Sequence, residues 1–214
     1  PDIAFCSGSS GTIGRPAQPN QSYQWIGNTV GLANPTSSST TVTLTNPGTT
    51  PTTNTYILQT TDLTTTCTAT DTVVVTVFPI PSSAFNLPAA TCLNDPVTIS
   101  YNGFSGPAAT YTWNFGAGAN PATATGQGPH NVTYSTAGIS TVSLVVSENG
   151  CPSMATTQNI NVNPLPTSTF TATGPHCVND PATITYTGSG GIGATYSWDF
   201  DGGTILAGNG AGPY

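Results

Sequence analysis

The residues through which this chain could do chemistry are few: five cysteines, two histidines and eight carboxylates. The cysteines are spaced with a period. Cys6 and Cys67 lie 61 positions apart, Cys92 and Cys151 lie 59 apart, and Cys177 is left over. Zinc ligation would call for short spacings such as C-x2-C, and none exist. A catalytic thiolate would need a base, and the only histidines are His130 and His176. His176 adjoins Cys177, but Thr91 stands at the matching position before Cys92, so the adjacency does not belong to the pattern. The spacing therefore reads as two disulfides, Cys6–Cys67 and Cys92–Cys151, with the partner of Cys177 about 60 positions further on, beyond Tyr214. In the chain-entropy picture, closing a loop of that size stabilises a domain by roughly 4 kcal/mol. Such bonds place the protein in an oxidising compartment.

The other polar clusters have two readings each. Asp199 and Asp201 flank Phe200 beside Gly202-Gly203, and two carboxylates on a glycine turn could contribute to a calcium site, which wants six to eight oxygens. The matching positions in the middle of the chain are Asn114 and Gly116, so such a site would not be general, and a solvated turn is the other reading. Asn94-Asp95-Pro96 and Asn179-Asp180-Pro181 read as turns entering strands, since Asn and Asp bond their own backbone there. Asn131-Val132-Thr133 and Asn20-Gln21-Ser22 fit the N-glycosylation pattern. No G-x-S-x-G elbow, phosphate loop or HExxH is present, and the acids are too scattered for a paired-carboxylate mechanism. No catalytic residue is assigned, and the segment reads as non-enzymatic.

The elements that carry these residues are strands. Of 214 residues only 4% are charged; Lys is absent, Arg15 is the only Arg, and the formal charge is -7. A chain without a basic patch cannot neutralise phosphates, which excludes nucleic acid and an anionic membrane surface as partners. No apolar run reaches the roughly 20 residues of a spanning helix, so no membrane insertion is expected. Thr and Val favour a pleated sheet over a helix, and 24 Gly with 19 Pro punctuate the chain at turn spacing. Short alternating runs such as "TVTL" from Thr41, "VTISY" from Val97 and "TVSLVV" from Thr141 predict an all-β sandwich or barrel. Arg15 precedes Pro16, so the chain offers trypsin-like proteases no ordinary cut, a feature that fits life outside the cell.

The chain repeats itself at a shift of 85 residues. Pro79-Ile80-Pro81 falls on Pro164-Leu165-Pro166, Cys92 on Cys177, Asn94-Asp95-Pro96 on Asn179-Asp180-Pro181, and "YTWNF" from Tyr111 on "YSWDF" from Tyr196. The first 81 residues form a diverged copy, with "YQW" from Tyr23 in the place of "YTW". Each Pro-x-Pro follows a Val-rich or Val-containing strand and reads as a short, semi-rigid spacer. The predicted modules are 1–81, 82–166 and an incomplete 167–214. Along a strand, Tyr111, Trp113 and Phe115 share one face, as do Tyr196, Trp198 and Phe200. In register with the cysteines, this stripe reads as core, with the Trp against an inter-sheet disulfide; a sugar-stacking platform is the alternative.

"YTWNFG" from Tyr111, "GPHNVTYSTAGISTVSLVVSENGC" from Gly128 and "YSWDFDGG" from Tyr196 resemble the polycystic-kidney-disease-type (PKD) domain, an immunoglobulin-like β-sandwich. The first copy resembles related immunoglobulin-like modules through "YQWIG" and "TYILQTTDLTTTC". Gly116-Ala117-Gly118 departs from the Gly-Asp-Gly common in the family. The cysteine pair and Pro-x-Pro linker look like those of large surface proteins exported by the type 9 secretion system, gliding adhesins among them. Asp71-Thr72-Val73 resembles the O-glycosylation motif of that bacterial group, which makes Thr72 a candidate acceptor.

The resemblance implies a tandem array of sandwiches from a long extracellular surface protein: an adhesin, stalk or filament whose partners are neighbouring repeats, copies of itself, glycans or other surface proteins. No cofactor is expected beyond calcium at Asp199 and Asp201. The alternative is an accessory, glycan-binding spacer of a secreted polysaccharide-degrading enzyme. The chain opens on Pro1 and reads as a segment of something longer. The third copy, lacking the strands after its Trp strand, is expected to stop at an arbitrary boundary or to borrow strands from another chain.

Overall fold

The computed structural model describes every residue from Pro1 to Tyr214, and its secondary structure is strand and turn throughout. The chain divides into two units, Pro1–Val162 and Asn163–Tyr214. The first unit contains two separate hydrophobic cores.

The first core is built by β1 (Ile3–Cys6), β2 (Ser10–Gly14), β3 (Gln21–Ile26), β4 (Ser39–Thr43), β5 (Thr52–Asp62) and β6 (Thr68–Phe78). One sheet has the order β1-β6-β5-β3, and β2 pairs with β4 in the other. Period-two alternation sends one face of each strand inward. Val73, Val75 and Val77 of β6 and Tyr56 and Leu58 of β5 meet Ile13 and Val42 of the opposite sheet around Trp25. β1 runs parallel to β6 with Cys6 opposite Phe78, so the start and end of this module lie side by side.

The second core is enclosed by β7 (Phe85–Asn86), β8 (Ala90–Cys92), β9 (Val97–Tyr101), β10 (Thr110–Asn114), β11 (Ala119–Asn120), β12 (Thr123–Ala124), β13 (His130–Tyr134), β14 (Gly138–Glu148), β15 (Cys151–Pro152) and β16 (Thr156–Asn163). One sheet runs β12-β10-β14-β16-β8 with β15 on β14, and the other runs β11-β13-β9-β7. Trp113 is fully buried, stacked on Phe115 at 5.7 Å between centroids and edge-on to Phe85 at 5.3 Å. Its neighbours are rings and not the inter-sheet disulfide expected from the sequence. Gly116, at φ +88, lets the chain turn away from β10: a Cβ there would meet the Thr141 carbonyl oxygen at 2.6 Å.

In the second unit, β17 (Phe170–Ala172) pairs with β18 (Ile184–Tyr186). Phe170 opposes Tyr186 as Phe85 opposes Tyr101. Five aromatic contacts of the second core recur here: Phe170 with Trp198, Tyr186 with Tyr196, Trp198 with Phe200, and Tyr214 with Trp198 and with Phe200. Residues 195–199 nevertheless form no strand. Their counterpart β10 is paired along its whole length with β14 and only at Trp113 and Asn114 with β12, and residues 167–214 contain no counterpart of β14. The rings therefore line an open cleft of about 520 Å³, and Phe170 is left 57% exposed.

Candidate functional site

The tryptophan is held in the same way in all three copies. Its indole Nε1 donates to a carbonyl 12 or 13 residues downstream: Trp25 to Ser37 at 2.9 Å, Trp113 to Gly126 at 2.8 Å and Trp198 to Gly210 at 2.9 Å. The stripe is core in the two complete modules, where Trp25, Trp113 and Phe115 are buried, and offers no stacking platform there. His130 belongs to the same cluster. Its ring packs edge-on to Trp113 at 5.3 Å, and its Nε2 lies 3.0 Å from the Gly126 oxygen. His176 Nε2 sits 2.7 Å from Thr173 Oγ1 on the surface. The hydroxyl that His176 meets also accepts from the Thr183 amide at 3.0 Å, closing a surface turn.

The cysteines depart from the expected pairing. Cys6 is bonded to Cys151, with Cα atoms 5.5 Å apart across 145 positions of sequence, while Cys67, Cys92 and Cys177 are free and exposed. The expected bonds Cys6–Cys67 and Cys92–Cys151 fail on distance. Cys6 lies opposite Phe78, at one end of β6, and Cys67 immediately precedes Thr68, at the other. Ten residue steps of strand separate these ends, roughly 33 Å, whereas a disulfide needs Cα atoms within about 7 Å. The second module repeats the arrangement. Cys151 pairs with Glu148 at one end of β14; Cys92 ends β8, whose neighbour Ala89 accepts from the Asn161 amide at the other, beside the Gly138–Val162 pair. The bond thus joins the two sandwiches across their linker.

That junction is packed. Pro79 and Pro81 are buried and Ile80 is exposed. The Ser82 amide donates to the Phe104 carbonyl, and Tyr101 Oη donates to the Ser82 carbonyl at 3.0 Å. Ser83 Oγ donates to the Met154 carbonyl at 2.7 Å and lies 2.8 Å from Thr156 Oγ1. Cys151 is fully buried. Nearby, the only glutamate, Glu148, accepts from the Gly106 amide at 2.7 Å. At the far end of the first module, Asp62 Oδ1 accepts from the Thr64 and Thr65 amides at 2.8 Å, and these bonds draw its carboxyl below the ordinary aspartate range.

The remaining candidates fall on turns and exposed strand faces. Asp199 Oδ1 accepts from the Asp201 amide at 2.9 Å, the turn that Asn114 forms with the Gly116 amide at 2.9 Å, so Asn or Asp serves equally well. No group of three His, Cys, Asp or Glu residues surrounds it. Asn94 and Asn179 adopt positive φ, and the amides of Asp95 and Asp180 donate to Cys92 and Cys177. Asn20, Asn131 and Thr72 are all exposed. Asn131 Oδ1 accepts from Thr98 Oγ1 at 2.8 Å, and Asp71 Oδ1 from the Thr72 amide at 2.9 Å. Cysteine spacing could not have revealed the observed bond, because in a repeat the late cysteine of a module and that of the next stand in the same phase. The usable signal was the strand between the cysteines, long enough to carry them to opposite ends.

Residues 84–162 match the PKD domain family. The match covers the second core almost entirely. Among solved structures, the N-terminal eight Ig domains of Down Syndrome Cell Adhesion Molecule superpose with a TM-score of 0.51 at 10% identity, over 88% of this chain and 27% of theirs. The titin I-band fragment I67-I69 gives 0.46 at 9% identity, over 89% and 74%. Fibronectin(III)-like modules of Clostridium thermocellum CbhA give 0.34 at 14% identity, over 76% and 90%. The chain spans about a quarter of the cell adhesion molecule structure, and at this identity the likeness is one of fold. No curated protein matches the chain by sequence. The fold is all-β, with immunoglobulin-like sandwiches in tandem of which residues 84–162 match the PKD family, and no catalytic family is indicated. No helix is long and apolar enough to cross a membrane.

Proposed function

We propose that this chain is a non-catalytic, load-bearing spacer of an extracellular surface protein, an adhesin, stalk or filament that holds a binding surface away from its anchor. The observation that carries the reading is the Cys6–Cys151 bond across the junction of two sandwiches. A bond inside a module protects that module. A bond between modules resists bending and separation at the joint, which is where a string of domains yields first. The buried prolines and the Ser83 hydrogen bonds act on the same joint. A disulfide also requires an oxidising compartment, in keeping with a location outside the cell, and near-absence of charge leaves Thr, Ser and Asn hydroxyls and amides to keep the surface hydrated.

Glycan binding separates this reading from that of an enzyme's accessory module. Affinity electrophoresis of the full chain through gels containing soluble polysaccharides is expected to show unretarded migration, since the aromatic stripes of the two complete modules are buried and the Trp198 ring of residues 167–214 is taken up by Phe170, Phe200 and Tyr214. Saturable retardation, lost on competition with free oligosaccharide, would transfer the chain to the accessory class.

A further inference from the structure

We propose that disulfides in this repeat run between modules by a fixed rule, in which the early cysteine of one module bonds the hairpin cysteine of the next, so that Cys67 and Cys92 are open halves of bonds of which Cys6–Cys151 is a completed one. The inference concerns how modules are joined and stands independently of the spacer reading.

Each module carries its two cysteines at opposite ends. Cys6 and Cys92 are the early pair: each ends a strand, β1 or β8, at the module end from which the chain departs through its Pro-x-Pro. Cys67 and Cys151 are the hairpin pair. The Asp62 amide donates to the Cys67 carbonyl at the β5–β6 turn, and Glu148 pairs with Cys151 at the β14–β15 turn. Residues on the way into the hairpin cysteine take positive φ in both: Thr66 at 59, and Asn149 at 52 with Gly150 at 77. The distance from hairpin cysteine to linker is likewise kept, with Pro79 following Cys67 and Pro164 following Cys151 at nearly the same interval. Cys67 is therefore to its module what Cys151 is to the next, and Cys92 is what Cys6 is. At the one junction where both members are present, they are bonded. Where one member is absent from residues 1–214, the cysteine is free and exposed.

The rule assigns Cys67 to the early cysteine of a module preceding Pro1 in sequence, and Cys92 to a hairpin cysteine following Tyr214. Forming each bond removes two protons and two electrons from a pair of thiols. A small-molecule or protein disulfide accepts the electrons by exchange and leaves as two thiols. The consequence is mechanical. The shortest covalent route crosses every second junction by its disulfide and otherwise follows only the stretch from a hairpin cysteine to the next early one, as from Cys67 to Cys92, so the array stays nearly inextensible even where a module unfolds.

The test supplies Cys67 with the partner it lacks. Residues 82–166 are placed ahead of Pro1 in the full chain, carrying Thr91→Ser as a mass tag and Cys151→Ser to remove a competing thiol. The protein is folded with oxidised glutathione, alkylated and mapped without reduction after chymotryptic digestion. The expected map links the tagged Cys92 to Cys67 and the native Cys6 to Cys151, leaving the native Cys92 and Cys177 alkylated. A Cys6–Cys67 peptide, or Cys67 alkylated in a folded fusion, would overturn the rule. The unfused chain gives a second measurement that does not depend on the fusion. In Cys6→Ser the rule leaves Cys151 without a partner, so four cysteines are alkylated where the parent shows three. A Cys92–Cys151 peptide in that variant would overturn it equally.

Discussion

Breaking the Cys6–Cys151 bond changes what a pulling force can reach. With the bond intact, tension applied between Pro1 and Tyr214 passes along residues 1–6, across the sulfurs and along residues 151–214. The intervening loop, with its ends 145 positions apart, is shielded. At about 3.5 Å per extended residue, the oxidised chain can lengthen to no more than roughly 250 Å, and reduction releases roughly 500 Å more. Force spectroscopy with handles at the two termini, with and without a reductant, reads this difference directly. The oxidised protein is expected to show no extension from the loop between Cys6 and Cys151, and the reduced protein or Cys6→Ser to release it. Equal total lengths in oxidised and reduced protein would refute the argument. The same loop closure is worth about 5 kcal/mol in the chain-entropy model, so the variant should also melt earlier.

Two further outcomes follow from the cores. Trp113→Ala removes a fully buried ring from a cluster with Phe85, Phe115 and His130, and should destabilise its module by about 3–5 kcal/mol in denaturant titration; a loss below 1 kcal/mol would mean that the stripe is not core. Burial raises Tyr56 and Tyr134 above the ordinary tyrosine value of 10.0. Their folded forms hold the proton where the unfolded chain has lost it, so the stability they contribute is complete below about pH 10 and is lost as pH rises through the folded values. Tyrosinate absorbance should therefore lag behind that of the unfolded chain and rise together with loss of near-ultraviolet circular dichroism.

Much of this architecture could be read without coordinates, because it rests on local periodicity. Alternation in "TVVVTVF" needs only the two-residue pleat to put Val73, Val75 and Val77 on one face, and they are buried together. "YTWNF" places Trp113 and Phe115 in one stripe by the same rule, and the Asn-Asp-Pro turns follow from side chains that bond their own backbone. The 85-residue shift carries these features into residues 167–214, where the ring contacts recur although the sheet around them is partial. Asp199 and Asp201 were ambiguous because a turn-forming carboxylate and a metal-binding one have the same letters; the Asp201 amide, not the spacing, shows what Asp199 bonds.

What the amino-acid sequence determined by itself was the all-β class, the repeat and the aromatic cores, since each depends on neighbours a few residues apart or on identity between copies. What the tertiary structure alone decided was that Cys6 bonds Cys151. Phase is unchanged when a whole module is added to a spacing, so a repeat cannot tell a bond within a copy from a bond to the next. Eleven-residue strands, running from one end of each sandwich to the other, carry Cys6 away from Cys67 and set it beside Cys151.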